Sequence, residues 1–99
     1  MVHYVIVRSD LTHGQQVAQA VHAVGESHGG LVHPAGTVAV ALSATDKKHL
    51  LEIYATIVAA DIKCVLIIEC DGEPMAIGVC PTRDRKSIRK VTSTLKLVK

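Results

Sequence analysis

The chain has 99 residues, 48% of them hydrophobic and 2% aromatic, with a formal net charge of +2. That is enough for one domain to bury a core without metals or disulfides. Tyr4 and Tyr54 are the only aromatic residues, so the core must be Ile, Val, Leu and Ala, and modules that stack bases on aromatic platforms are disfavoured. Cys64, Cys70 and Cys80 show no CxxC spacing and read as free thiols of a reducing compartment. With neither an export-leader pattern nor an apolar run of about 18 residues, the expectation is a cytoplasmic protein without membrane contact.

Val2 to Val7 is a β-branched run apolar on successive residues, as in a strand covered on both faces. Asp10 to Gln15 forms a turn, and Thr12 with Gln15 has capping-box spacing, so a first helix starts near His13 and runs to about Ser27. Val17, Ala20, Val21 and Val24 are its expected apolar stripe, and Gly25, Gly29 and Gly30 its stop. His28 to Gly36 reads as a Gly/Pro loop and Thr37 to Leu42 as a second buried strand. Thr45 is the expected cap of a second helix, about Asp46 to Ala60, with Leu50, Ile53, Tyr54 and Ile57 at helical period. Cys64 to Ile68 is a third strand and Pro74 to Val79 a fourth, and the Asp71-Gly72 turn between them predicts an antiparallel hairpin. Thr82 begins a third helix carrying Ile88, Val91 and Leu95, followed by a short basic tail. The order β-α-β-α-β-β-α predicts a single three-layer α/β/α domain with a mixed four-stranded sheet.

In such sheets ligands gather outside the carboxyl ends of the parallel strands. Asp10 and His13 follow the first strand, Ser43 to Asp46 the second, and Glu69 and Cys70 the third. Asp10 as an orienting carboxylate and His13 as a base near neutral pH suit hydrolysis, although turn and cap chemistry explains the same residues. Gln15, Gln19 and His22 recur at i, i+4 and i+7 as a polar row opposite the valines, either a solvated face or the lining of a cleft. Arg83, Arg85, Lys86, Arg89 and Lys90 stand against Asp84 in the third helix. They form either a solvated face or a patch for nucleic-acid phosphates. The six histidines show no HxxxH or HExxH spacing, so no metal site is expected.

The stretch VIVRSDLTHGQQVAQAVHA resembles the opening of the type-2 (archaeal and eukaryotic) peptidyl-tRNA hydrolases, with Arg8, Asp10, Leu11, Gly14, Ala18, Gln19, His22 and Ala23 in the signature places. Lys90 to Val98, KVTSTLKLV, resembles the family's ending, Thr92 included. The resemblance covers nearly the whole chain and implies a mixed four-stranded sheet between helices. It also implies cleavage of the ester that joins a stray peptide to the 3′ end of tRNA, without metal or organic cofactor, in a protein that is commonly a homodimer. On that basis Asp10, His13, His22 and Glu69 are the expected catalytic positions. Arg8, Gly14, Gln19, Arg85, Lys86, Arg89, Lys90 and Thr92 are the expected substrate-binding ones, with the tRNA backbone and 3′ end as partner. Two departures stand out. The family's longer turn carries a lysine where this chain has His13 before Gly14, and its threonine-bearing loop is cut to Cys70-Asp71-Gly72-Glu73. The shortened form is similar to the divergent peptidyl-tRNA hydrolase domain-containing branch; a relative that binds RNA or a protein without turnover is the alternative.

Overall fold

The computed structural model describes residues 1–28 and 36–98. Most of the loop expected at His28 to Gly36, with Gly29 and Gly30, lies outside the described residues. The elements are β1 (Val2–Arg8), α1 (His13–Ser27), β2 (Val38–Ala44), α2 (Lys47–Ala59), β3 (Cys64–Ile68), β4 (Pro74–Val79), α3 (Lys86–Thr92) and β5 (Lys96–Leu97). They build a mixed α/β fold around one sheet in the order β3-β4-β1-β2-β5. β1 and β2 pair in parallel from Val2↔Val38 to Arg8↔Ala44. β4 is antiparallel to both β1 and β3, and β5 is antiparallel to β2. β1, β2 and β3 therefore point the same way, and their carboxyl ends share one edge.

The sheet has five strands among the described residues, not the expected four. Thr82 does not begin a helix but bridges to Val2, with N–H···O bonds of 3.0 and 3.1 Å exchanged between the two backbones. A turn follows in which the Thr82 hydroxyl accepts from Asp84 N–H and the Asp84 carboxylate accepts from Lys86 N–H, both at 3.1 Å. α3 starts only there and ends at Thr92, so Lys96 and Leu97 are released to pair with Ser43 and Leu42. A two-residue strand is too short to carry a period-2 signal, which is why it reads as a tail.

Local chemistry elsewhere follows the sequence. Thr12 and Gln15 make the full capping box of α1, and the β3–β4 hairpin turns through Gly72, whose φ of 86° favours glycine. The cap of α2 is Asp46 rather than Thr45: its carboxylate accepts from His49 N–H at 2.9 Å, satisfying an otherwise orphan donor.

β1 is buried along its whole length, and its side chains divide by parity. Val2, Tyr4 and Ile6 join Leu50, Ile53 and Ile57 of α2 and Ile88 of α3 in one apolar cluster. Val5 and Val7 join Ala23 of α1, Ile67 and Ala76 in another.

The seating of α1 keeps half of the expected stripe, Ala20 and Val24, which pack against the second cluster, and overturns the other half. Val17 and Val21 are 65% and 67% exposed, whereas Gln16, Gln19, Ala23 and Ser27 are buried. A Cβ on Gly78 of β4 would meet the carbonyl oxygen of Ala23 and, at 2.5 Å, Ser27 Oγ. An approach that close admits only small side chains, or polar ones that find partners, on the inner face. Ser27 Oγ donates to Ala23 O at 2.6 Å and sits 2.7 Å from His3 Nε2. The single hydroxyl proton being spent on Ala23, His3 Nε2–H is the donor of that second bond. Gly25 lies inside α1 and does not end it.

Candidate active site

Arg8 brings the last residue of β1 into an ion network. It is 9% exposed. Its Nε and Nη2 donate to the two oxygens of Asp10 at 3.0 and 2.7 Å. Nη1 donates to Glu73 Oε1 at 2.7 Å and to the carbonyl of Pro74 at 3.0 Å. Lys47 Nζ lies 3.6 Å from the other oxygen of Glu73. A fork-to-fork pair of this kind fixes both geometry and charge state. The Arg8 hydrogen bonds, reinforced by its positive charge, hold the Asp10 carboxyl below the usual carboxylate range against the effect of burial. Asp10 in turn, with Glu73, raises the guanidinium above its ordinary value. A carboxylate with both oxygens given to an arginine is a weak proton acceptor. The network ties the end of β1 to the start of β4, and Asp10 makes no hydrogen bond to His13.

A second pair forms under α1. Gln19 Nε2 donates to Glu69 Oε1, joining the helix to the residue after β3. Gln19 is 8% exposed, and its Oε1 is buried without a hydrogen-bond partner. Such an atom normally costs on the order of 1–3 kcal/mol.

His13 belongs to neither pair. It lies in a cavity of about 480 Å³ at the carboxyl ends of β1 and β2, the parallel pair. Ser9, His13 and Gln16 line it from the β1 side, Ser43, Thr45 and His49 from the β2 side, and residues 94–98 close it. Adjacent parallel strands whose following helices pack into different clusters leave a crevice at this point. Gln16 is fixed by donating to Leu11 O at 2.8 Å, and Ser43 Oγ donates to Lys96 O at 3.2 Å. His49 and Ser9 carry no sequence signal of a site and become visible only once the two strand ends are side by side, whereas Ser43 and Thr45 fall in the stretch expected at this edge.

The remaining expected positions lie apart. His22 is over half exposed, with Glu26 Oε1 3.9 Å from its Nε2, so the polar row does not exist as one surface: Gln19 points inward and His22 outward. Gly14 is exposed, with open space around its Cα. Arg85, just before α3, and Lys86, Arg89 and Lys90 on it are exposed. Thr92 is buried and its hydroxyl donates to Ile88 O at 3.1 Å, a placement beneath the helix that a polynucleotide does not reach. Burial, and secondarily Cys80, pushes the Cys64 thiol up, away from a reactive thiolate. Among the described residues no helix is long and apolar enough to cross a membrane, and no three His, Cys, Asp or Glu side chains group as metal ligands. Compared with models of known protein families and with curated proteins, the chain matches none.

Proposed function

We propose that this chain is a three-layer α/β/α hydrolase that cleaves the ester of peptidyl-tRNA, releasing the peptide and recycling the tRNA. The observation that carries the reading is the placement of His13: an imidazole without a hydrogen-bond partner among the described residues, in a cavity at the carboxyl ends of the parallel strands. The resemblance of Arg8, Asp10, Gly14, Gln19 and the Lys90 to Val98 ending to the type-2 peptidyl-tRNA hydrolases supplies the substrate class.

In this reading His13 takes a proton from water as the water oxygen adds to the ester carbonyl. The tetrahedral intermediate then expels the ribose oxygen, which receives the proton from His13. Gln19, paired with Glu69, holds α1 against the end of β3, and the Arg8–Asp10–Glu73 network keeps the β1 turn in place. Removing the base costs roughly 10²–10⁴-fold in rate. The test is release of N-acetyl-amino acid from purified N-acetyl-aminoacyl-tRNA by wild type and His13→Ala. Equal rates for the two would end the assignment.

A second reading, tRNA binding without turnover, is favoured by the exposure of Arg83, Arg85, Lys86, Arg89 and Lys90, none of which forms an ion pair among the described residues. It predicts affinity that falls steeply with salt and a triple Arg85→Glu, Lys86→Glu, Arg89→Glu variant with a log–log salt slope shallower by about 2–3. An unchanged slope would make the patch an ordinary solvated face.

A further inference from the structure

The cavity beside His13 holds a second imidazole whose orientation is set by the backbone. His49 Nδ1 accepts from the Thr45 N–H at 3.0 Å, with Thr45 Oγ1 3.3 Å away. The His49 main-chain N–H donates to Asp46 Oδ1 at 2.9 Å, so backbone and ring are both tied to the start of α2. A ring nitrogen that accepts a hydrogen bond carries no proton. The neutral imidazole therefore has its proton on Nε2, the ring's remaining polar atom. In the same cavity Leu95, Leu97 and Val98 supply apolar wall together with the hydroxyl-bearing residues Ser9, Ser43 and Thr45.

The lining selects among ligand classes. An anion such as phosphate is drawn to uncapped helix N-termini, but both helix starts at this edge are already capped. Thr12 Oγ1 accepts from Gln15 N–H at 3.2 Å, and Asp46 accepts from His49 N–H. What the cavity offers is a fixed N–H donor, hydroxyls, Lys96 at its edge and an aliphatic wall. That suits an acyl group: a carbonyl oxygen to accept a hydrogen bond and an apolar amino-acid side chain to lie on Leu95 and Leu97.

We infer that this cavity binds the acyl portion of an N-acylated aminoacyl ester, and that His49 donates its Nε2–H to the acyl carbonyl oxygen. The inference rests on the hydrolase reading for the identity of the acyl donor, and it deepens it. His13 and His49 divide the work, one accepting a proton from water and the other donating to the oxygen on which charge develops. A preorganised donor aimed at that oxygen stabilises the transition state more than the ground state. Loss of one such donor lowers kcat by roughly 10²–10³-fold and weakens binding of an uncharged acyl ligand by about 10-fold.

The experiment uses the full chain and two readouts. The first is binding of N-acetylpuromycin, in which an amide replaces the scissile ester, followed in long-range imidazole ¹H–¹⁵N NMR spectra. The expected result is a protonated His49 Nε2 in the free protein and a shift at that nitrogen on titration. Affinity should be about 10-fold weaker in His49→Ala and partly restored in His49→Gln, which keeps an N–H donor, with thermal melts confirming that both variants fold. No shift at His49, equal affinity of His49→Ala, or displacement of the probe by millimolar inorganic phosphate would overturn the inference, the last in favour of an anion site. The second readout is turnover of N-acetyl-aminoacyl-tRNA. If wild type cleaves it and His49→Ala cleaves it equally fast, the inference fails while the hydrolase reading stands. If wild type does not cleave it, the hydrolase reading fails, and the binding titration alone decides whether His49 receives an acyl group.

Discussion

Replacing Gly78 with alanine puts a methyl group at the closest approach of α1 to the sheet. The new Cβ would meet the Ala23 carbonyl oxygen, the Ser27 hydroxyl at 2.5 Å and the Ser27 Cβ at 2.7 Å. Contacts under 3 Å cannot persist, and the first is backbone, so no side-chain rotation relieves it. Overpacking of a close-packed interior costs about 1–3 kcal/mol. A rigid backbone contact belongs at the top of that range, and about 3 kcal/mol lowers the Tm of a domain of this size by about 12–24 °C. Urea unfolding followed by far-UV circular dichroism measures the loss. Adding Ser27→Gly removes two of the three contacts but leaves the carbonyl, so it should restore less than half of the stability. The displacement also has a functional signature, since α1 carries His13, Gln16 and Gln19: the surviving folded fraction should show altered turnover. A Gly78→Ala protein within 1 kcal/mol of wild type would refute the close seating of α1 on β4.

Other consequences are equally direct. Arg8→Met leaves two carboxylates and the Pro74 carbonyl without their donor, and should cost about 2–3 kcal/mol in urea unfolding. A loss below 0.5 kcal/mol would make the network incidental. Asp10 titrates below its ordinary value when folded, so its stabilising contribution is present above the unfolded carboxyl value near pH 4. It fades as the pH falls through the lower folded value. Wild type should therefore exceed Asp10→Asn in stability by about 1 kcal/mol at pH 7, a modest margin because the carboxylate is partly exposed. The gap should close in strongly acidic solution, and one that widened on acidification would reverse the assignment. Gln19→Leu should leave Tm within about 5 °C of wild type, equivalent to about 1 kcal/mol, while cutting peptide release roughly 100-fold. Unchanged release would make the Gln19–Glu69 pair purely structural.

The first four strands were legible because three of them are continuous apolar runs bounded by turn residues, and the Thr12 cap and the Asp71-Gly72 turn have local chemistry that fixes them. What misled was periodicity on α1. Val17 and Val21 look like a core stripe in one dimension, yet the close approach at Gly78 turns Ala23, Ser27 and the two buried glutamines inward. The satisfied partners of those polar groups, His3, Leu11 O and Glu69, lie on other segments and leave no trace within the helix. The site divided in the same way. Asp10 and His13 were flagged by their place in the turn and Arg8 by the family resemblance, but the Arg8–Asp10 pair was not foreseen. His49 was not, because its role depends on β1 and β2 lying in parallel and on the Thr45 N–H reaching its ring.

The central claim is that the crevice at the ends of β1 and β2 performs ester hydrolysis. The most direct test is single-turnover release of N-acetyl-amino acid from N-acetyl-aminoacyl-tRNA by wild type and His13→Ala at neutral pH. The account predicts release by wild type well above the spontaneous rate and a fall of roughly 10²–10⁴-fold in the variant. Release no faster than in buffer, or equally fast in both proteins, would contradict it.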